Sequence, residues 1–62
     1  MQITLKAARV NAGLTQTQVE KATGYARSTL VSWESGKTFP RADALKALCD
    51  LYGISVGNIK IK

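Results

Sequence analysis

Between Leu14 and Lys37 the chain reads LTQTQVEKATGYARSTLVSWESGK, and the glycine near its middle restricts this segment to two short helices. Thr15 offers a hydroxyl that caps backbone N–H groups of the following turn. Val19 and Ala22 then give a short apolar stripe at helical spacing. Gly24 stands where the chain must leave that helix in a left-handed conformation, which glycine adopts without a Cβ clash. A second helix runs from about Ala26 to Ser35, burying Leu30 and Trp33 on one face and ending at Gly36. Its outer face carries Arg27, Ser28, Val31 and Ser32, with no acidic residue among them.

The flanks of this segment complete a single domain over residues 1–62, with no repeat, low-complexity run or interdomain linker. A preceding helix starts near Thr4, a candidate cap, and runs to Ala12. Leu5 and Ala8 face inward, Ala12 extends their line, and Gly13 closes the helix. GKTFPR, from Gly36 to Arg41, reads as a loop, and Pro40 suits the start of a fourth helix, where its missing N–H does no harm. That helix continues to about Tyr52 with Leu45, Leu48 and Cys49 inward, and Gly53 ends it. Ser55 is expected to cap a last short turn carrying Val56 and Ile59. The tail Ile59-Lys60-Ile61-Lys62 alternates apolar and basic, which is also a strand pattern. It is read as a frayed terminus ahead of a piece of a dimer contact.

Composition removes several functional classes. The chain has no histidine and one cysteine, so neither an intrachain disulfide nor a cysteine/histidine zinc site can form, and no metal or cofactor is expected. Cys49 is read as a small buried apolar side chain in a reducing compartment. No apolar run approaches the ~20 residues that cross a bilayer. MQITLKAARV lacks the order of a signal peptide. The expectation is a soluble, cytoplasmic protein with no membrane partner and no small-molecule ligand. Paired inward carboxylates and a phosphate-cradling glycine loop are missing as well as histidine, so an enzyme is not expected. Nine Lys and Arg against four Asp and Glu leave a net charge of +5, which favours a polyanionic partner. A short helix presenting polar donors from a basic chain is what the major groove of DNA accepts.

These residues together resemble the helix-turn-helix domain of Cro and phage repressors, the xenobiotic-response-element-like family, over about Leu5 to Ile59. The resemblance is carried by Leu14-Thr15-Gln16, Gly24, Arg27-Ser28-Thr29-Leu30, Trp33-Glu34 with Gly36-Lys37, Pro40, and the series Leu45, Leu48, Gly53, Ile54. It implies an all-α fold, a compact five-helix lambda-repressor-like DNA-binding domain with the helix-turn-helix at its second and third helices. The chain departs from the family at Glu20, where alanine is usual, at Thr23, where an aliphatic residue is usual, and at Ala26, where a serine or threonine often caps the third helix.

Candidate site residues follow from position. Arg27 opens the recognition helix and can donate two hydrogen bonds to a guanine edge; a phosphate contact or a solvated arginine is the alternative. Ser28 and Ser32 lie four apart and face the same groove as candidate base contacts. Candidate backbone contacts are Gln16, Thr29, Lys37, Arg41 and Tyr25. Thr29 serves equally well as a structural hydroxyl, Tyr25 as cover for the core, and Lys37 and Arg41 as surface charges. Gln16 matches a family position that bonds a phosphate and braces the first recognition residue. Arg9 and Glu34 match family positions that form a largely buried ion pair, a structural role. Val31 is a lesser candidate, for a thymine methyl.

The function this implies is sequence-specific binding of a double-stranded DNA operator by a transcriptional regulator, a repressor of phage or bacterial type, working as a homodimer on two half-sites. The alternatives are an antitoxin, a restriction-modification controller, or a protein-interaction module on the same fold.

Overall fold

Two threonines open the first two helices in the same way. Thr4 Oγ1 accepts the Ala7 N–H at 3.1 Å and starts α1, Leu5–Asn11. Thr15 Oγ1 accepts the Gln18 N–H at 3.1 Å while the Gln18 side chain accepts the Thr15 N–H at 2.8 Å, a reciprocal capping box that starts α2, Gln16–Thr23. The computed structural model describes residues 2–60. Gly24 ends α2 at φ 81°, and its N–H bonds the Glu20 carbonyl at 2.8 Å. No atom lies within 4 Å of where a Cβ would stand, so the requirement for glycine there is one of backbone angle alone.

Ala26 then leads into α3, Arg27–Ser35, without a side-chain cap. Gly36, also left-handed, turns the chain so that the Lys37 N–H bonds back to the Ser32 carbonyl at 3.1 Å. The last helix, α4, spans Ala42–Tyr52, and a single 3-10 turn follows at Val56–Asn58. The architecture among the described residues is therefore four α-helices and one such turn, where the sequence led us to expect five helices. The fifth is too short to close an α-helical turn, and Gly57 in its middle disfavours one.

The core is built at three- and four-residue steps. Leu5 and Ala8 of α1, Val19 of α2, Leu30 of α3, and Leu45, Leu48 and Cys49 of α4 are buried together with Ile59. Leu14, Tyr25, Trp33, Tyr52 and Ile54 cover its edges.

Several local expectations change. Ala12 and Ala22 are exposed. Val19 is the buried residue of α2, and half-buried Thr23, one turn on, donates its hydroxyl to the Val19 carbonyl at 2.7 Å. Pro40 precedes the first helical residue by two, and Arg41 takes the cap position; proline's fixed φ suits extended backbone as well as a first helical turn. Ser55 precedes the 3-10 turn but makes no side-chain cap bond. The tail is not frayed at Ile59, which is buried and forms a parallel bridge with Ile3. Ile3 donates to the Asn58 carbonyl at 2.8 Å and accepts from the Lys60 N–H at 2.7 Å, tying the lead-in of α1 to the end of the chain. Ile61 and Lys62 lie outside the described residues.

Leu48 is 1% exposed at the centre of this core. Leu48→Ala should cost ~2–5 kcal/mol, comparable with the ~3–9 kcal/mol total of a domain this size. Urea melts followed by circular dichroism should show a large fall in midpoint or an unfolded chain. The exposed pair Lys46 and Asp50 serves as control, since Lys46→Ala should cost under ~0.5 kcal/mol.

Candidate nucleic-acid interface

The orientation of α3 is set by a carboxylate near its C-terminal end. Glu34 receives Arg9 Nε at 2.8 Å and Arg9 Nη2 at 3.3 Å, a two-pronged pair whose side chains are only 12% and 9% exposed. Arg9 Nη1 donates to the Leu14 carbonyl at 2.9 Å, and Gln16 Nε2 donates to Glu34 at 3.2 Å. One carboxylate thus joins α1, the approach to α2, α2 itself and α3. The hydrogen bond to Glu34 raises the Arg9 pKa further above its ordinary value, against the opposing effect of burial. Tyr52 sits beside this cluster; burial, reinforced by the Glu34 carboxylate and opposed by Arg9, pushes its phenol up to about 12. Burial likewise pushes up the Cys49 thiol, which packs as an apolar side chain in the core.

With its C-terminal end held, α3 turns Arg27, Ser28 and Val31 outward as exposed residues, while Ser32 and Thr29 are half-buried beside them. Among the described residues, neither the Ser28 nor the Ser32 hydroxyl has a protein partner. Because Ala26 carries no side-chain acceptor, the first N–H groups of α3 are also without a cap. Tyr25 stands edge-on to Trp33, ring centroids 5.1 Å apart and planes at 71°, which makes its ring part of the core cover. Lys37 follows α3 directly and Arg41 precedes α4; both are exposed.

One sequence expectation about bracing needs correction. The Gln16 side chain is engaged with Glu34 rather than with Arg27. Arg27 is held instead by two other α2 residues: its Nη2 donates to Thr17 Oγ1 and lies 3.8 Å from Glu20 Oε1. Spacing along the sequence gave no signal for this pair, since it joins two helices across a turn. The Gln18 half of the capping box, by contrast, was legible as Thr15-x-x-Gln18 and went unread.

Charge is unevenly compensated. Of the four acidic residues, Glu34 pairs with Arg9, Glu20 approaches Arg27, and Asp50 meets Lys46 at 3.4 Å. Asp43 lies in the first turn of α4, where the helix dipole favours a carboxylate. The described residues hold no cluster of metal-ligating side chains and no helix long and apolar enough to cross a membrane.

A short helix, a left-handed glycine turn and a second helix with an uncovered polar face make this a helix-turn-helix domain, a DNA-binding class. The family model described as Helix-turn-helix domain matches residues 3–58, and the chain belongs to that family. No match was found among the curated proteins or the solved structures.

Two outcomes test the cluster. Glu34→Gln strands the largely buried Arg9 charge and should cost about 3 kcal/mol in denaturant melts, the lower end for a broken buried pair because Leu14 still accepts from Arg9. The Tyr52 phenol, raised in the folded state, favours folding fully below its unfolded value of about 10, and that contribution is lost as pH rises towards 12. Stability measured from pH 9 to 12 should therefore fall more steeply in the wild type than in Tyr52→Phe.

Proposed function

We propose that this chain is a sequence-specific double-stranded DNA-binding protein, a transcriptional regulator that represses by occupying an operator and excluding polymerase. The observation that carries the reading is the outward face of α3, where Arg27, Ser28 and Val31 lie exposed beside Ser32 with no carboxylate of the same helix among them. Nine residues of α3 make a rod ~13 Å long, a fit for the major groove. Arg27 is assigned to a guanine edge, and Ser28 and Ser32 to neighbouring bases. Gln16, Thr29, Lys37, Arg41 and the Tyr25 hydroxyl are assigned to the phosphates, which set register without reading sequence. Arg9 and Glu34 are assigned to holding α3 at its angle.

The size of the domain argues for a homodimer on DNA. Its longest extent is 27 Å, short of the ~34 Å between successive major-groove faces on one side of a duplex. A second copy on a second half-site supplies the missing reach. Ile59 is buried and unavailable for that contact, and the end of α4 with exposed Leu51, and Val56 beyond it, is the surface to examine first.

Selection of bound duplexes from a random pool should yield an enriched motif with two-fold symmetry; an unenriched pool would reject specific reading. On the enriched duplex, Arg27→Ala should cost ~1–3 kcal/mol and relax preference at one base pair. Lys37→Ala should instead weaken all sequences alike and lower the salt slope by about one.

A further inference from the structure

Arg27 is exposed, yet α2 holds it. Thr17 Oγ1 accepts from its Nη2, and the Glu20 carboxylate stands 3.8 Å from the same nitrogen. Thr17 and Glu20 are three residues apart and so share one face of α2, the face that meets the start of α3. The guanidinium side chains and carboxylate remain reachable by solvent, 53% exposed for Arg27 and 39% for Glu20. We infer that Glu20, together with Thr17, is a specificity-determining pair that makes Arg27 a reader of base edges rather than a phosphate anchor. This rests on the DNA-binding reading above.

The argument is one of charge against geometry. An unpaired arginine at the tip of a groove-binding helix is drawn to the nearest phosphate, a contact that every sequence offers equally. Glu20 offsets that charge and itself repels phosphates, so attraction to the backbone weakens. Recognition of a guanine depends instead on presenting two N–H groups in one plane. Thr17 takes only one of the five donors of the guanidinium, and Nη1 and Nε make no protein hydrogen bond among the described residues. Holding Nη2 also removes rotamer freedom that the long side chain would otherwise lose on binding. The two contacts therefore act in the same direction: the tether fixes where the fork points, and the carboxylate lowers the yield of pointing it elsewhere.

The test uses the intact chain, with two probes: the duplex recovered by selection and a random-sequence duplex of equal length, titrated at several salt concentrations. Glu20→Gln should bind the random duplex more tightly with a steeper salt dependence, and the ratio of the two affinities should fall ~2–5-fold, the range of an exposed ion pair. Thr17→Val should lower the ratio without changing the salt dependence. In an Arg27→Ala background, Glu20→Gln should shift both affinities together and leave the ratio unmoved; a fall in the ratio that persists without Arg27 would mark a general charge effect and overturn the inference. In the free protein, nitrogen-15 NMR should show restrained rotation of the Arg27 guanidinium that Glu20→Gln releases. If the wild type discriminates but Glu20→Gln keeps the full ratio, or if the guanidinium rotates equally fast in both, the inference is overturned and the DNA-binding reading survives. If the wild type fails to separate the two duplexes, sequence-specific reading falls and the inference falls with it.

Discussion

The two-pronged pairing of Arg9 with Glu34 is the contact on which the presentation of α3 depends. Apolar burial has no direction, and the core here is small, with Leu48, Val19 and Cys49 its largest fully buried side chains. Such a core holds the helices together, and directional contacts add to what packing defines of their relative placement. A carboxylate that must receive Arg9 and Gln16 at once, while Arg9 also reaches the Leu14 carbonyl, accepts only one placement of α1, α2 and α3. A buried ion pair is often no more stabilising than well-packed apolar residues of the same volume. What this one contributes is geometry, the placement of α3 against α1 and α2.

The same economy governs the other charges. Glu34 is paired with Arg9, and Asp43 lies in the first turn of α4 rather than on α3. Glu20 instead stands 3.8 Å from Arg27 at the start of α3. Lys37 and Arg41 carry no such partner among the described residues and stand on either side of the loop that follows α3. Arg27 is thus restrained by α2, whereas Lys37 and Arg41 have no comparable contact among the described residues.

The sequence disclosed those features that are local. Thr15, Gly24 and Gly36 announce themselves because capping and left-handed turns depend on a few consecutive residues. Leu45, Leu48 and Cys49 do so through helical periodicity. Arg9 and Glu34, 25 residues apart, were reachable only through resemblance to a family. The contacts that stayed hidden are those made between elements by side chains with other plausible uses. Nothing in the spacing of Glu20 and Arg27 distinguishes a pair across a turn from two solvated charges. Ile59 was misread because an alternating apolar and basic tail looks the same whether it frays or pairs, and its partner Ile3 lies at the opposite end of the chain. Pro40 was displaced for a related reason: a fixed φ marks a boundary without saying on which side the helix lies.

Ala26 shows how these levels meet at the first turn of α3. A side-chain cap there would be worth ~1 kcal/mol to α3, yet the position holds none. A capping oxygen would occupy N–H groups in the first turn of the helix. Without it, the first turn of α3 keeps its donors and the positive end of its dipole unspent. The helix is then held from its other end by Glu34 and from the side by Leu30 in the core. Stability is concentrated where α3 meets the protein, and its first turn is left without a side-chain cap.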